Sequence, residues 1–308
     1  MLETITEFTS CHLCFHACGV NRFAGKLGRC ALDSGLYVAT VCRHLGEEPA
    51  LGGEKGVCNV FFSHCNLQCL FCQNWQISTR GSSLEQAKTT IEALCTQICS
   101  ILACGVRALG FVSPTPYIPY VREIIEVVHA RGYHPLTIYN TNAFDTPSAL
   151  SLLDGYIDVY LPDYKYGNVL LAERYSQAPN YPDLALESIA EMVRQVGKEV
   201  LYDTNGLVLR GLIIRHLVLP NQVENSRSAL FNLWSEFGNK LTLSLMCQYT
   251  PLHRACEVEE LARTLTPDEY HEVVDFMYSL GFKNGWVQEM SSIGSYVPDF
   301  MHATPFDG

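Results

Sequence analysis

Beyond residue 56 the chain alternates short apolar runs with segments of helical period, and a polar residue closes nearly every run. Val57 to Ser63 reads as a buried strand. Leu84 to Leu102 repeats apolar residues at 84, 87, 91, 94, 98 and 102, a helical period. Ala108–Val112, Leu136–Tyr139, Ile157–Leu161 and Leu241–Met246 read as further strands, with Trp286–Glu289 as a last one. Helices are expected over Ile118–Ala130, Ala149–Leu153 and Leu184–Val196, stopped at Gly132 and Gly197 where Gly follows the run. Val200–Leu219 reads as a hairpin turning at Asn205-Gly206. Thr266-Pro-Asp-Glu269 is a capping box that opens a helix to Leu280. Strand–helix–strand alternation builds a parallel sheet. About six such units are legible, fewer than a closed barrel needs, so the expected α/β architecture is an open, partial parallel (β/α)6-type barrel. Chemistry in such folds sits at the C-terminal strand ends, here marked by Cys65, Ser113, Asn140, Asp163, Pro220 and Gln248.

Composition narrows the classes. With 48% hydrophobic and 17% charged residues among 308, the chain has material for a full core and is not a disordered one. Lys and Arg number 21 against 32 Asp and Glu, a net charge of −11, and no run of five or more basic residues occurs. Generic nucleic-acid or anionic-membrane binding is therefore not expected. Residues 1–10 lack a basic n-region and a long apolar run, and no segment has the roughly twenty apolar residues of a membrane helix, so the cytosol is the expected compartment. In that reducing setting the 14 cysteines do not read as disulfides. Nine of them crowd between Cys11 and Cys72, which points to metal or iron–sulfur ligation. Residues 1–56 are Cys-, Gly- and His-rich without clear period, and are expected to form a small metal-binding module ahead of a barrel over 57–308.

Cys65-x3-Cys69-x2-Cys72 follows the first strand directly. Three thiolates in one loop hold three irons of a 4Fe–4S cube and leave the fourth iron open to a ligand. A structural zinc loop is the alternative, but structural zinc takes four protein ligands. At these residues, with aromatic Phe71 before the last cysteine, the chain resembles the radical S-adenosylmethionine (SAM) superfamily. Within it the chain is most similar to the pyruvate formate-lyase (glycyl-radical enzyme) activating enzymes. His44-Leu-Gly-Glu-Glu-Pro49, Phe61-Phe-Ser, Gln73-Asn74 and Arg215-His-Leu-Val-Leu-Pro220 carry that similarity.

The resemblance implies that the open iron chelates SAM and that one electron splits it to methionine and a 5′-deoxyadenosyl radical. It implies Cys65, Cys69 and Cys72 as ligands, Phe71 near the adenine, and an electron donor such as flavodoxin or ferredoxin. Ser113-Pro-Thr-Pro116 stands where many relatives carry Gly-Gly-Glu. Ser113 and Thr115 either replace that contact to SAM or only form a turn. Asn140 and Asn142, in Tyr139-Asn-Thr-Asn142, resemble a segment beside SAM and are otherwise loop caps. Asp163-x-Lys165 resembles a motif whose Lys meets the SAM carboxylate; otherwise it is a local ion pair. Arg215, in an apolar strand, must meet a carboxylate, from SAM or from a structural Asp or Glu.

Cys11-x2-Cys14-x3-Cys18-x11-Cys30 is a second candidate metal site, for zinc or another iron–sulfur cluster, with unligated thiols as the plain alternative. Three functions remain open on residues alone. One is an activase that installs a glycyl radical on a partner enzyme. Another is a radical SAM enzyme acting on a small molecule or peptide. The third is an iron–sulfur electron-transfer or redox-sensing protein without catalysis.

Overall fold

The computed structural model describes residues 6–295, 297–302 and 304–306. In chain order, β1 (Val38–His44) and α1 (Pro49–Gly52) lead to β2 (Val57–Phe62) and α2 (Trp75–Ser78). Then come α3 (Ile91–Leu102), β3 (Ala108–Val112), α4 (Ile118–Ala130), β4 (Leu136–Thr141) and α5 (Pro147–Leu150). β5 (Val159–Pro162), α6 (Val169–Ser176), α7 (Tyr181–Val196), β6 (Leu201–Tyr202) and β7 (Val208–Leu217) follow. α8 (Val223–Phe237), β8 (Thr242–Met246), α9 (Pro267–Ser279) and β9 (Asn284–Val287) complete the chain.

One sheet runs β1-β2-β3-β4-β5-β7-β8-β9, with β6 antiparallel on β7 at the Asn205-Gly206 hairpin. All pairings from β2 to β9 along this path are parallel, and only β1 is antiparallel to its neighbour. Parallel strands carry helices on their faces, so every residue of β2, β3 and β5 is buried. The path ends at β1 and β9, which leaves an open, partial barrel, as expected. The register aligns the starts of successive strands, for instance Val57 with Ala108 and Ala108 with Leu136. Their C-terminal ends therefore come to one edge, where the sequence places its polar residues.

Two local expectations change. The helix begins at Ile91, not Leu84, with Thr90 as its cap accepting from the Ala93 N–H at 3.2 Å. Residues ahead of it pair with the 36–38 segment instead: Val38 N donates to the Ala87 carbonyl at 2.8 Å and Thr89 N to the Leu36 carbonyl at 3.0 Å. That segment leads into β1, a strand whose mixed burial hides its period. Helices α6 and α8 are also additional. The boundary expected at residue 56 falls between two antiparallel partners, β1 and β2. Phe8, Leu13, Leu32 and Leu36 share one hydrophobic core with Phe62, Phe111 and Tyr117 of the barrel.

The loop after β5 is fastened to α8. Asn225 accepts from the N–H groups of Gly167 and Asn168 at 3.0 and 3.2 Å and donates to the Lys165 carbonyl at 3.2 Å. Gly167 permits this approach, because a Cβ there would lie 2.3 Å from the Ala229 backbone nitrogen. Gly167→Ala must push α8 off the loop. We expect a loss of about 1–3 kcal/mol, seen as a lower urea midpoint. A wild-type midpoint would mean the loop and helix are not in this contact.

Candidate active site

Cys65, Cys69 and Cys72 lie in the loop that leaves β2. Ser63 anchors its start by accepting the Tyr117 hydroxyl at 2.7 Å, and His64 turns the chain with a positive φ of 60°. Each sulfur has a polar neighbour. Asn142 Nδ2 donates to Cys65 Sγ at 3.3 Å, Ser176 Oγ to Cys69 Sγ at 2.9 Å, and Ser78 Oγ stands 3.1 Å from Cys72 Sγ. Burial first, then the neighbouring sulfurs, pushes the Cys65 thiol up to about 12. The same causes push Cys72 to about 11. Burial also raises Cys69, against the pull of Lys165. Free thiols held this way stay protonated, and a metal cation would reverse the order by displacing the protons.

The triad faces a cavity of ≈ 200 Å³, far more than the space one water needs. Phe71, Ser113, Asn140, Asn142, Asp163, Lys165 and Arg215 also line it, as do Gln73, Asn74 and Gln248. Thus the ends of β2, β3, β4, β5, β7 and β8 all contribute. Thr115 does not: it is fully buried, with Oγ1 3.5 Å from Thr141 Oγ1. Asn142 spends its amide on the triad, since Nδ2 also donates to Asn66 Oδ1 at 2.7 Å. The side chains of Ser113 and Asn140 have no hydrogen-bond partner among the described residues and so face the cavity uncommitted. Phe71 is buried, its ring edge-on to Tyr249 at 6.1 Å.

The two cations of the cavity differ. Lys165 Nζ meets Asp163 Oδ2 at 2.5 Å. Burial would lower the ammonium, but the Asp163 carboxylate, aided by Cys69, outweighs it and holds Lys165 above its usual range. Arg215 meets structural carboxylates. It donates from Nε to Glu48 Oε1 at 2.8 Å and from Nη2 to Glu48 Oε2 at 2.6 Å, and Nη2 also pairs with Glu47. Glu47 in turn accepts from Asn59 at 2.7 Å. His216, on the opposite face of β7, is buried between the Tyr164 carbonyl at 2.7 Å and Ser226 Oγ at 2.9 Å.

Residue reasoning missed Ser78, Ser176, Glu47 and Glu48. Ser176 sits on α6, far along the chain, and nothing local marks it. Glu47 and Glu48 lie within the quoted His44–Pro49 segment, so a signal was present there. The four N-terminal cysteines come together: Cys11, Cys14, Cys18 and Cys30 line one small cavity with Arg22, Asn66 and Thr115. No three His, Cys, Asp or Glu side chains among the described residues are arranged to hold a single metal ion. No helix among them is long and apolar enough to cross a membrane.

No protein-family profile matches the chain. It is 29% identical over 273 residues to the uncharacterized protein MJ0674 of Methanocaldococcus jannaschii, covering 87% of this chain and 74% of that one. Among solved structures it is similar to methylornithine synthase, with 14% identity, 72% of this chain and 62% of that one covered, and a TM-score of 0.47. It is also similar to HydG, a maturase of the [FeFe]-hydrogenase, with 12% identity, 76% of this chain and 52% of that one covered, and a TM-score of 0.50. The chain thus spans less than two thirds of the length of either solved protein. What the likeness to HydG shows is the fold: a mostly parallel α/β partial barrel.

Proposed function

We propose that the chain is a radical SAM enzyme in which Cys65, Cys69 and Cys72 hold a 4Fe–4S cluster and the adjoining cavity holds SAM. The observation that carries this reading is the meeting, at the strand ends, of three polar-contacted thiols, Cys65 buried and Cys69 and Cys72 half-buried, with a cavity lined by uncommitted polar groups. Bound there, the cluster would supply the one electron that divides SAM into methionine and a 5′-deoxyadenosyl radical, which takes a hydrogen atom from the substrate. The remaining work falls to this chain's side chains. Asn142, Ser176 and Ser78 place donors against the sulfurs, which favours their charged, ligating form.

Lys165 is the charge partner of the SAM carboxylate in this reading, and Asp163 orients it. Arg215 is a positioning residue, because Glu47 and Glu48 already take its charge and tie β7 to the loop after β1. Phe71 offers its ring to the adenine, and Ser113 and Asn140 offer hydrogen bonds to the amino-acid or ribose groups. Thr115, behind the wall, takes no direct part. The hydrogen donor we favour is a glycyl-radical enzyme, with flavodoxin or ferredoxin as electron source. Supporting it, Gln73-Asn74 and Arg215, which carry part of the resemblance to the activases, line the cavity together with the Thr141-Asn142 and Asp163-x-Lys165 segments.

Cys69→Ala should lose most of the barrel iron and all reductive SAM cleavage. A variant that kept both would overturn the cluster assignment. Lys165→Met should keep its iron and visible absorption while SAM affinity, read by equilibrium binding, falls about tenfold to more than a hundredfold. Unchanged affinity would make Lys165 structural.

Arg215→Met should behave differently. It strands two largely buried carboxylates, so we expect about 3–5 kcal/mol lower stability in urea. Normal stability with weakened SAM binding would instead place Arg215 on the ligand. The activase reading predicts a glycyl-radical signal in electron-spin resonance when enzyme, SAM and reductant are added to extract from the native host. A product formed only from a small molecule or peptide would replace that reading.

A further inference from the structure

The four N-terminal cysteines sit in an unusual electrostatic setting. Arg22 is buried, 1% exposed, and lines their cavity. Its Nε donates to the Asp33 carbonyl at 2.8 Å and its Nη1 to the Pro116 carbonyl at 2.7 Å, while Nη2 has no partner. Arg80 has two buried nitrogens, Nε and Nη2, without partners, and lies within electrostatic reach of Cys30 and Cys18. Arg29 immediately precedes Cys30, and its backbone N–H donates to Cys18 Sγ at 3.2 Å. None of these three arginines forms an ion pair with a carboxylate among the described residues. A buried guanidinium without an anion is costly, and it is out of place in a chain of net charge −11. Four neutral thiols do not balance it; four metal-bound thiolates do.

We propose that Cys11, Cys14, Cys18 and Cys30 ligate a second iron–sulfur cluster, with Arg22 and Arg80 as its counter-charges. The place of the site in the fold favours a cluster over zinc, because the four cysteines line one cavity that backs onto the barrel triad. Cys65 lines the large cavity and the next residue, Asn66, lines the small one. Asn142 Nδ2 touches both, and His64 Nδ1 reaches the Cys30 carbonyl at 3.0 Å. A redox centre placed there accepts one electron from a low-potential protein donor and passes that electron to the barrel cluster, returning to its oxidised form. This last role rests on the function proposed above; the ligation does not.

The test is metal and sulfide analysis with Mössbauer spectroscopy on the anaerobically reconstituted full-length chain. Wild type should carry about eight irons, and a Cys65/Cys69/Cys72→Ala triple variant about four, still as a 4Fe–4S cluster. The double variant C11A/C30A should keep only the barrel iron. Wild type with about four irons that the triple variant loses, or a zinc ion lost from C11A/C30A while iron is unchanged, overturns the proposal. Should C11A/C30A fail to fold, the wild-type count and the triple variant still decide. Arg80→Met should keep all its iron but lower the midpoint potential of one cluster, because removing a nearby positive charge disfavours the reduced state. Two unchanged potentials would overturn the counter-charge role. Failure of the barrel assignment looks different: the triple variant would then retain every iron of the wild type.

Discussion

Everything at the candidate site depends on three sulfurs crowded into one largely water-shielded loop. Thiols that are buried and close together resist ionisation, through desolvation and mutual repulsion. Yet the protein surrounds them with groups suited to anionic sulfur: an amide, two hydroxyls and a nearby ammonium. Such an arrangement is contradictory for a bare apolar core and consistent for a metal-bound one. The barrel supplies the means. Each strand end brings one polar side chain to the same edge, because the parallel register keeps the strands level.

The two cations of the cavity are separated by how their charge is spent. Arg215 meets two carboxylates, so its local balance is negative and its role is to brace β7 against the loop after β1. Lys165 meets one carboxylate, so the pair is neutral and the ammonium keeps donors to offer. Distance to the cavity alone would not distinguish them, since both line it. The number of acidic partners does.

Much of this architecture is legible from period and spacing, and the failures have physical causes. The triad, Asn140, Asn142, Asp163 and Lys165 reach one cavity because their segments follow strands whose continuous apolar runs are easily read. The Thr266 capping box and the Asn205-Gly206 turn are local devices, and both form. Period alone starts α3 too early, because Leu84 and Ala87 keep the helical spacing while Ala87 and Thr89 pair with the 36–38 segment through their backbone. β1 escapes detection because an antiparallel edge strand with mixed burial has no clean alternation. For Thr115, expected either at the SAM contact or in a turn, the short helical turn it begins carries the side chain into the core. Partners distant in sequence, such as Ser176 for Cys69, have no local signal at all.

The turns at the strand ends add a further constraint. His64 and Ser113 both hold positive φ, 60° and 55°, within two residues of the ends of β2 and β3. Non-glycine residues avoid that region, so each position carries local strain that surrounding contacts must hold. His64 is held through its ring by the Cys30 and Ser82 carbonyls at 3.0 and 3.2 Å, and Ser113 by its N–H to the Asn140 carbonyl at 3.0 Å. The first of these contacts makes the N-terminal cysteine loop part of the scaffold that aims the triad. A glycine at 64 would relieve the strain but lose the ring that joins the two cysteine loops. The histidine therefore exchanges local backbone strain for a fixed relation between the two sets of sulfurs.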